Sequence, residues 1–130
     1  MLAFFLLIPA EFAYSAATKR PAPPLQADYV SALSAADHFL QAWQSGDVEN
    51  GTSLLTSHAK TATNTEVVDS FFSNEAPAAY EIERGKMLSR SRYEFPIVLM
   101  TRKHGRVHRQ FSNIIVLHTG GNDWAIDKLP

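Results

Sequence analysis

The hydrophobic positions of this chain change period once. Between residues 31 and 44, Leu33, Ala36, Leu40 and Trp43, with Phe39 beside them, recur at three- and four-residue spacing. That is the period of a helix with one buried stripe. Gly46 supplies a stop and Asp47 the next N-cap, so Ser45-Gly46-Asp47 predicts a joint between two helices. The second helix covers residues 48–57, weakened by the interior Gly51, with Leu54 and Leu55 as its buried edge. Thr63-Asn64-Thr65-Glu66 has the spacing of a capping box. It predicts a short third helix with Val67, Val68, Phe71 and Phe72 inward, closed by Pro77.

After Pro77 the period becomes two. Tyr80 and Ile82 alternate with Glu81 and Glu83, and further runs cover residues 93–102, 107–118 and 123–129. Ser89-Arg90-Ser91, His104-Gly105 and Gly120-Gly121-Asn122 supply the turns. Helices followed by an antiparallel meander give an α+β fold, with N-terminal helices packed on a curved sheet of about four strands. The last run is expected to lie beside residues 107–118, so that Trp124 and Ile126 cover one face of the sheet.

The N-terminal segment follows a different logic. Residues 2–10, LAFFLLIPA, are too short a run to span a bilayer, which takes roughly 20 apolar residues. Followed by Ser15, Ala16 and Ala17, they fit a secretory signal, although no Lys or Arg precedes them. Pro21, Pro23 and Pro24 then forbid a helix and favour a solvated spacer. The expected organisation is a leader over 1–17, a linker over 18–27 and one domain over 28–130. A secreted or periplasmic location follows from the leader, with a membrane-anchored form as the alternative if it is not cleaved.

Two segments resemble a known superfamily. FLQAWQSGDVENGTSLLT, residues 39–56, is similar to the first helical pair of nuclear transport factor two-like proteins. IIVLHTGGNDWAIDKL, residues 114–129, resembles their last two strands, which end in Trp-x-Ile-Asp. The resemblance covers residues 30–129 and implies a cone-shaped α+β domain. The superfamily includes ketosteroid isomerase, scytalone dehydratase, polyketide cyclases of the SnoaL type and exported domains without assigned activity. The matching motifs mark a fold and none is a catalytic signature. No short strand is evident between the second and third helices, where some members have one.

Enzymes of that superfamily use Asp, Tyr or His groups inside the cone. His38, His58, His118, Tyr80, Tyr93 and Asp127 are the groups available here, and nothing in the sequence brings them together. Asp37 and His38 fall on the solvated flank of the first helix, and Asp127 alternates away from Trp124. No catalytic residue is assigned. The aromatic residues expected to line a cone interior are Phe39, Trp43, Phe71, Phe72, Tyr80, Phe95 and Trp124. The chain has no Cys, which removes thiol chemistry and thiolate metal sites. His104 and His108 sit among cations that oppose a metal, so neither cofactor nor metal is expected.

Charge is unevenly distributed. Residues 28–83 carry nine acids against Lys60 alone, a net of −8, and residues 84–109 carry eight bases against Glu94, a net of +7. Lys103 and Arg106 are expected to face each other across a hairpin, where like charges are destabilising. Arg102, Lys103, Arg106 and Arg109 therefore form a candidate docking site for an anionic surface or an acidic protein patch. Nucleic acid is not an expected partner, and membrane contact is expected only through the leader or this basic rim. Residues 97–100 and 114–117 are apolar on both alternations. Helices cover one sheet face only, so a second subunit is expected on the other. The leading functional expectation is an exported, non-enzymatic domain that binds a partner or a small apolar ligand. The alternatives are a cone-cavity lyase or isomerase and a membrane-tethered assembly module.

Overall fold

The structure, a computed structural model, describes residues 27–73 and 78–130. The expected leader, most of the linker and the stop at Pro77 lie outside the described residues. The long helix α1 (Ala27–Ser45) buries Ala32, Ala35, Ala36, Phe39, Leu40, Ala42 and Trp43. Four alanines in that stripe let its backbone approach the sheet closely. Gly46, with φ of 71°, ends α1, and Asp47 caps α2 (Val48–Ser53) by accepting the Asn50 N–H at 3.1 Å.

α2 stops earlier than its apolar edge suggests, because sheet pairing takes over the chain. Leu55 forms a parallel bridge with Ile126; Thr56 N–H donates to the Ile126 carbonyl at 2.9 Å and Ile126 N–H to the Leu54 carbonyl at 2.7 Å. This is an edge segment of the kind the sequence did not reveal. An additional helix, α3 (Ser57–Ala62), follows at once, with Thr56 as its N-cap. α4 (Thr65–Phe71) is capped by Asn64, not Thr63: Asn64 Oδ1 accepts the Val67 N–H at 2.9 Å. The one-residue shift turns Val67 outward, while Val68 and Phe72 are buried. Gly51 in α2 has a packing reason. A Cβ there would lie 2.1 Å from the Phe72 ring.

Among the described residues the sheet has five strands: β1 (Ala78–Ile82), β2 (Lys86–Ser89), β3 (Arg92–Lys103), β4 (Arg106–Gly120) and β5 (Asp123–Lys128). It is curved, antiparallel and open, in the order β1-β3-β4-β5, with β2 pairing β3 on the same edge as β1. Ala78–Ile82 pairs with residues 97–101 and β2 with the start of β3, so β1 and β2 form one interrupted edge. At Gly85, in the interruption, a Cβ would meet the Phe95 ring at 2.4 Å. All four residues of β2 are exposed, which left no alternation to read.

Residues directly opposite one another in an antiparallel ladder share a face. Tyr93, Phe95, Ile97 and Leu99 of β3, Ile114 and Val116 of β4 and Ile126 of β5 pack with the helices into one core. The opposite alternation carries Val98, Met100 and Arg102, paired with Phe111, Arg109 and Val107. Ile126 is fully buried and Trp124 half-buried, so the end of the chain is built into the sheet.

Candidate functional site

The space between helices and sheet holds aromatic rings in contact. Phe39 stacks on Phe71 at 5.8 Å and meets Phe72 edge-on at 5.6 Å, and Trp43 lies 6.2 Å from Phe71. Tyr29 contacts Phe95 at 5.5 Å and Tyr93 at 5.8 Å, and Tyr93 contacts Trp124 at 5.7 Å. Of the residues expected to line an interior pocket, Phe39, Phe72 and Phe95 are fully buried core. Trp43 and Phe71 border one open cleft, of about 340 Å³, and Trp124 borders another, of about 420 Å³.

Tyr80 is engaged with α1. Its hydroxyl donates to Asp37 Oδ1 at 2.6 Å, and Gln41 Nε2 donates to Asp37 Oδ2 at 2.9 Å. Asp37 is thus a half-buried strut between α1 and β1 and not the solvated residue its helical position suggested. Burial, then the hydrogen bond and charge of Asp37, push the Tyr80 hydroxyl up to about 12. The bond is worth most while the phenol keeps its proton.

The structure does bring functional groups together at the end of β5. Val116 pairs with Ile126 but Ile115 pairs with Lys128, so Asp127 is an extra residue at a register shift. Such a bulge re-aims a side chain. Asp127 is 7% exposed, so the residue that alternates away from Trp124 is buried and not solvated. Thr56 donates to Asp127 Oδ1 at 2.7 Å while its own oxygen accepts the Ala59 N–H at 3.0 Å. Arg92 donates to Oδ2 at 2.6 Å, and His58 Nδ1 lies 3.4 Å from Oδ1. Burial pushes the Asp127 carboxyl up, but Thr56, Arg92 and His58 together outweigh it and hold it below the ordinary carboxylate value. The edge pairing of residues 54–56 places Thr56 and His58 there. Sequence periodicity contains neither that pairing nor the register shift.

Around this group opens a cleft of about 560 Å³, bounded by α3, α4, the start of β3, Ile115 of β4 and the end of β5. His58, Arg92, Lys128 and Asn64 form its polar side, and Ala59, Ala62, Val67, Ile115 and Leu129 its apolar side. Asp127 is a poor general base here, because its oxygens already accept from Thr56 and Arg92. His58 is 74% exposed on its side chain, so solvent surrounds the one imidazole present. The arrangement is better suited to holding a ligand than to moving a proton. Among the described residues no three His, Asp or Glu side chains cluster as metal ligands.

On the outer sheet face Phe111 is 74% exposed, with Val107 also exposed and Met100 half-buried. Leu99 faces the core and Val98, on the outer alternation, is itself nearly covered. The four cations of the β3–β4 hairpin are all exposed but divide between faces. Arg102 and Arg109 share the Phe111 alternation, whereas Lys103 and Arg106 pair directly on the other. His104 and Gly105 both have positive φ, 53° and 78°, the geometry of a tight two-residue turn.

No protein-family profile and no curated protein sequence matches the chain. Solved structures do match in fold. A ketosteroid isomerase-like protein from Erwinia carotovora atroseptica superposes with a TM-score of 0.58 at 14% identity, over 80% of this chain and 94% of that one. An NTF-2 like protein of unknown function from Shewanella oneidensis does so with a TM-score of 0.53 at 12% identity, over 76% and 93%. The chain has the nuclear transport factor two-like fold.

Proposed function

We propose that the chain is a binding domain that pairs with a second copy of itself through the outer face of its sheet. The observation that carries this reading is Phe111, an aromatic residue on a long strand of the sheet left 74% exposed. Burying an aromatic side chain of this size contributes about 1.5–3 kcal/mol, and Val107 and Met100 extend the patch. The same face carries Glu81, paired with Val98, and Arg109, paired with Met100. A two-fold partner can set Glu81 of one copy against Arg109 of the other, which makes the surface self-complementary. The ring-filled interior supports binding at the surface over catalysis within a hollow cone.

Light scattering of the full chain tests this. A dimer is expected, and Phe111→Arg, at an exposed position, should yield a monomer with an unchanged far-UV spectrum. Glu81→Arg and Arg109→Glu should each weaken the dimer and restore it when combined. A native protein that remains monomeric at high micromolar concentration, or a Phe111→Arg protein that remains dimeric, would refute the proposal. The apolar run at residues 2–10 supports a site of action outside the cytoplasm, and a mature N-terminus found upstream of Ser15 would contradict cleavage there. Among the described residues no helix is long and apolar enough to cross a membrane.

A further inference from the structure

We infer that the cleft at the end of β5 is a binding site for a small amphipathic carboxylate, an organic acid with a short apolar body. Among its side chains the cleft sets one carboxylate, Asp127, against Arg92, Lys128 and the imidazole of His58, with Pro130 at its edge. A single Arg92 nitrogen donates to Asp127, at 2.6 Å. The Arg92 side chain is nonetheless 43% exposed, and its Nε lies buried without an acceptor. Asp127 therefore neutralises one cation without using the whole guanidinium fork, and Lys128 adds a second charge at the rim. A ligand carboxylate balances that surplus in the geometry for which a guanidinium is suited.

The other wall is apolar. Ala59, Ala62, Val67, Ile115 and Leu129 line it, and Val67 is an exposed aliphatic side chain on a helix whose other apolar residues turn inward. A volume of about 560 Å³ is within the range of small-molecule sites. A bare phosphate would leave this wall wet, and a neutral hydrocarbon would leave Lys128 and the outer part of Arg92 uncompensated. One charged end and one short apolar body match both walls. None of Phe111, Val107, Met100, Glu81 and Arg109 lines the cleft, and the inference does not depend on self-association.

Calorimetric titration of the full chain with 3-phenylpropionate, 3-phenylpropanamide and inorganic phosphate tests the inference. The acid should bind saturably, and the amide and phosphate about ten-fold more weakly, a difference of one charge-assisted contact. Lys128→Gln should weaken the acid about three- to five-fold, the worth of an exposed ion pair. Val67→Glu, which puts a like charge on the apolar wall, should weaken it about ten-fold or more. Both positions are exposed, and unchanged thermal melts confirm that the fold persists. Phe111→Arg should leave binding as it was, which separates the cleft from adsorption on the outer face. Equal binding of acid and amide, phosphate as tight as the acid, native affinity in both cleft variants, or no binding up to about 10 mM would each overturn the inference.

Discussion

At the scale of the residue, Asp127 shows how a buried charge is kept. Its desolvation is offset by a hydroxyl donor, a guanidinium donor and a neighbouring imidazole, and the balance leaves its carboxyl below the ordinary 3.8. The linkage has a definite sign. A carboxyl that is more acidic folded than unfolded stabilises the fold above its unfolded value, and that stabilisation is lost as pH falls through the folded value. Asp127→Asn keeps the shape and removes the charge, and should cost about 1.5–3 kcal/mol near neutral pH, the usual worth of hydrogen bonds to a charged group. Urea denaturation of the two proteins should show their difference shrinking as pH drops below 3.8. A difference that stays constant from neutral pH to strong acid would mean that the carboxylate charge contributes nothing.

At the scale of the element, Gly51 reverses an expectation based on propensity. Ala at an interior helical position normally gains about 1 kcal/mol over Gly. Here its methyl would fall 2.1 Å from the Phe72 ring, which is itself packed against Phe39 and Phe71. Gly51→Ala should therefore destabilise the domain by about 1–3 kcal/mol, the usual cost of overpacking, measured by the midpoint of chemical denaturation. Stabilisation would show that the α2–α4 contact is looser than described. The same contact explains what the sequence disclosed. α1, α4 and the strands β3 to β5 carry long periodic stripes, so their existence was legible. α3 buries only Ala59 and β2 buries nothing, and neither leaves a period to read. The Asp127 site was illegible for another reason. It depends on a register shift in β5 and on the pairing of Leu55 with Ile126, which join segments 71 residues apart at Thr56 and Asp127.

At the scale of the molecule, the acidic helices and the basic sheet end form a charge dipole, and the hairpin tip concentrates its positive pole. Lys103 and Arg106 stand directly opposite each other, an arrangement that costs stability and that an anionic surface would relieve. Arg102 and Arg109 lie on the Phe111 face, so a second copy seated there would withdraw them from any other partner. Lys103 and Arg106 stay available in either state. Lys103→Glu combined with Arg106→Glu should therefore abolish binding to vesicles containing anionic phospholipid, while Phe111→Arg should leave it intact. Native binding should be absent with neutral vesicles and weaken with added salt, because exposed charges are screened over about 8–10 Å at physiological ionic strength. Co-sedimentation across a salt series reads both effects. If the double Glu variant sediments like the native protein, or the native protein ignores anionic vesicles, the tip is a solvated turn whose paired cations only cost stability. Lys103→Glu alone should then raise the melting temperature by relieving the repulsion, with no loss of binding to offset the gain.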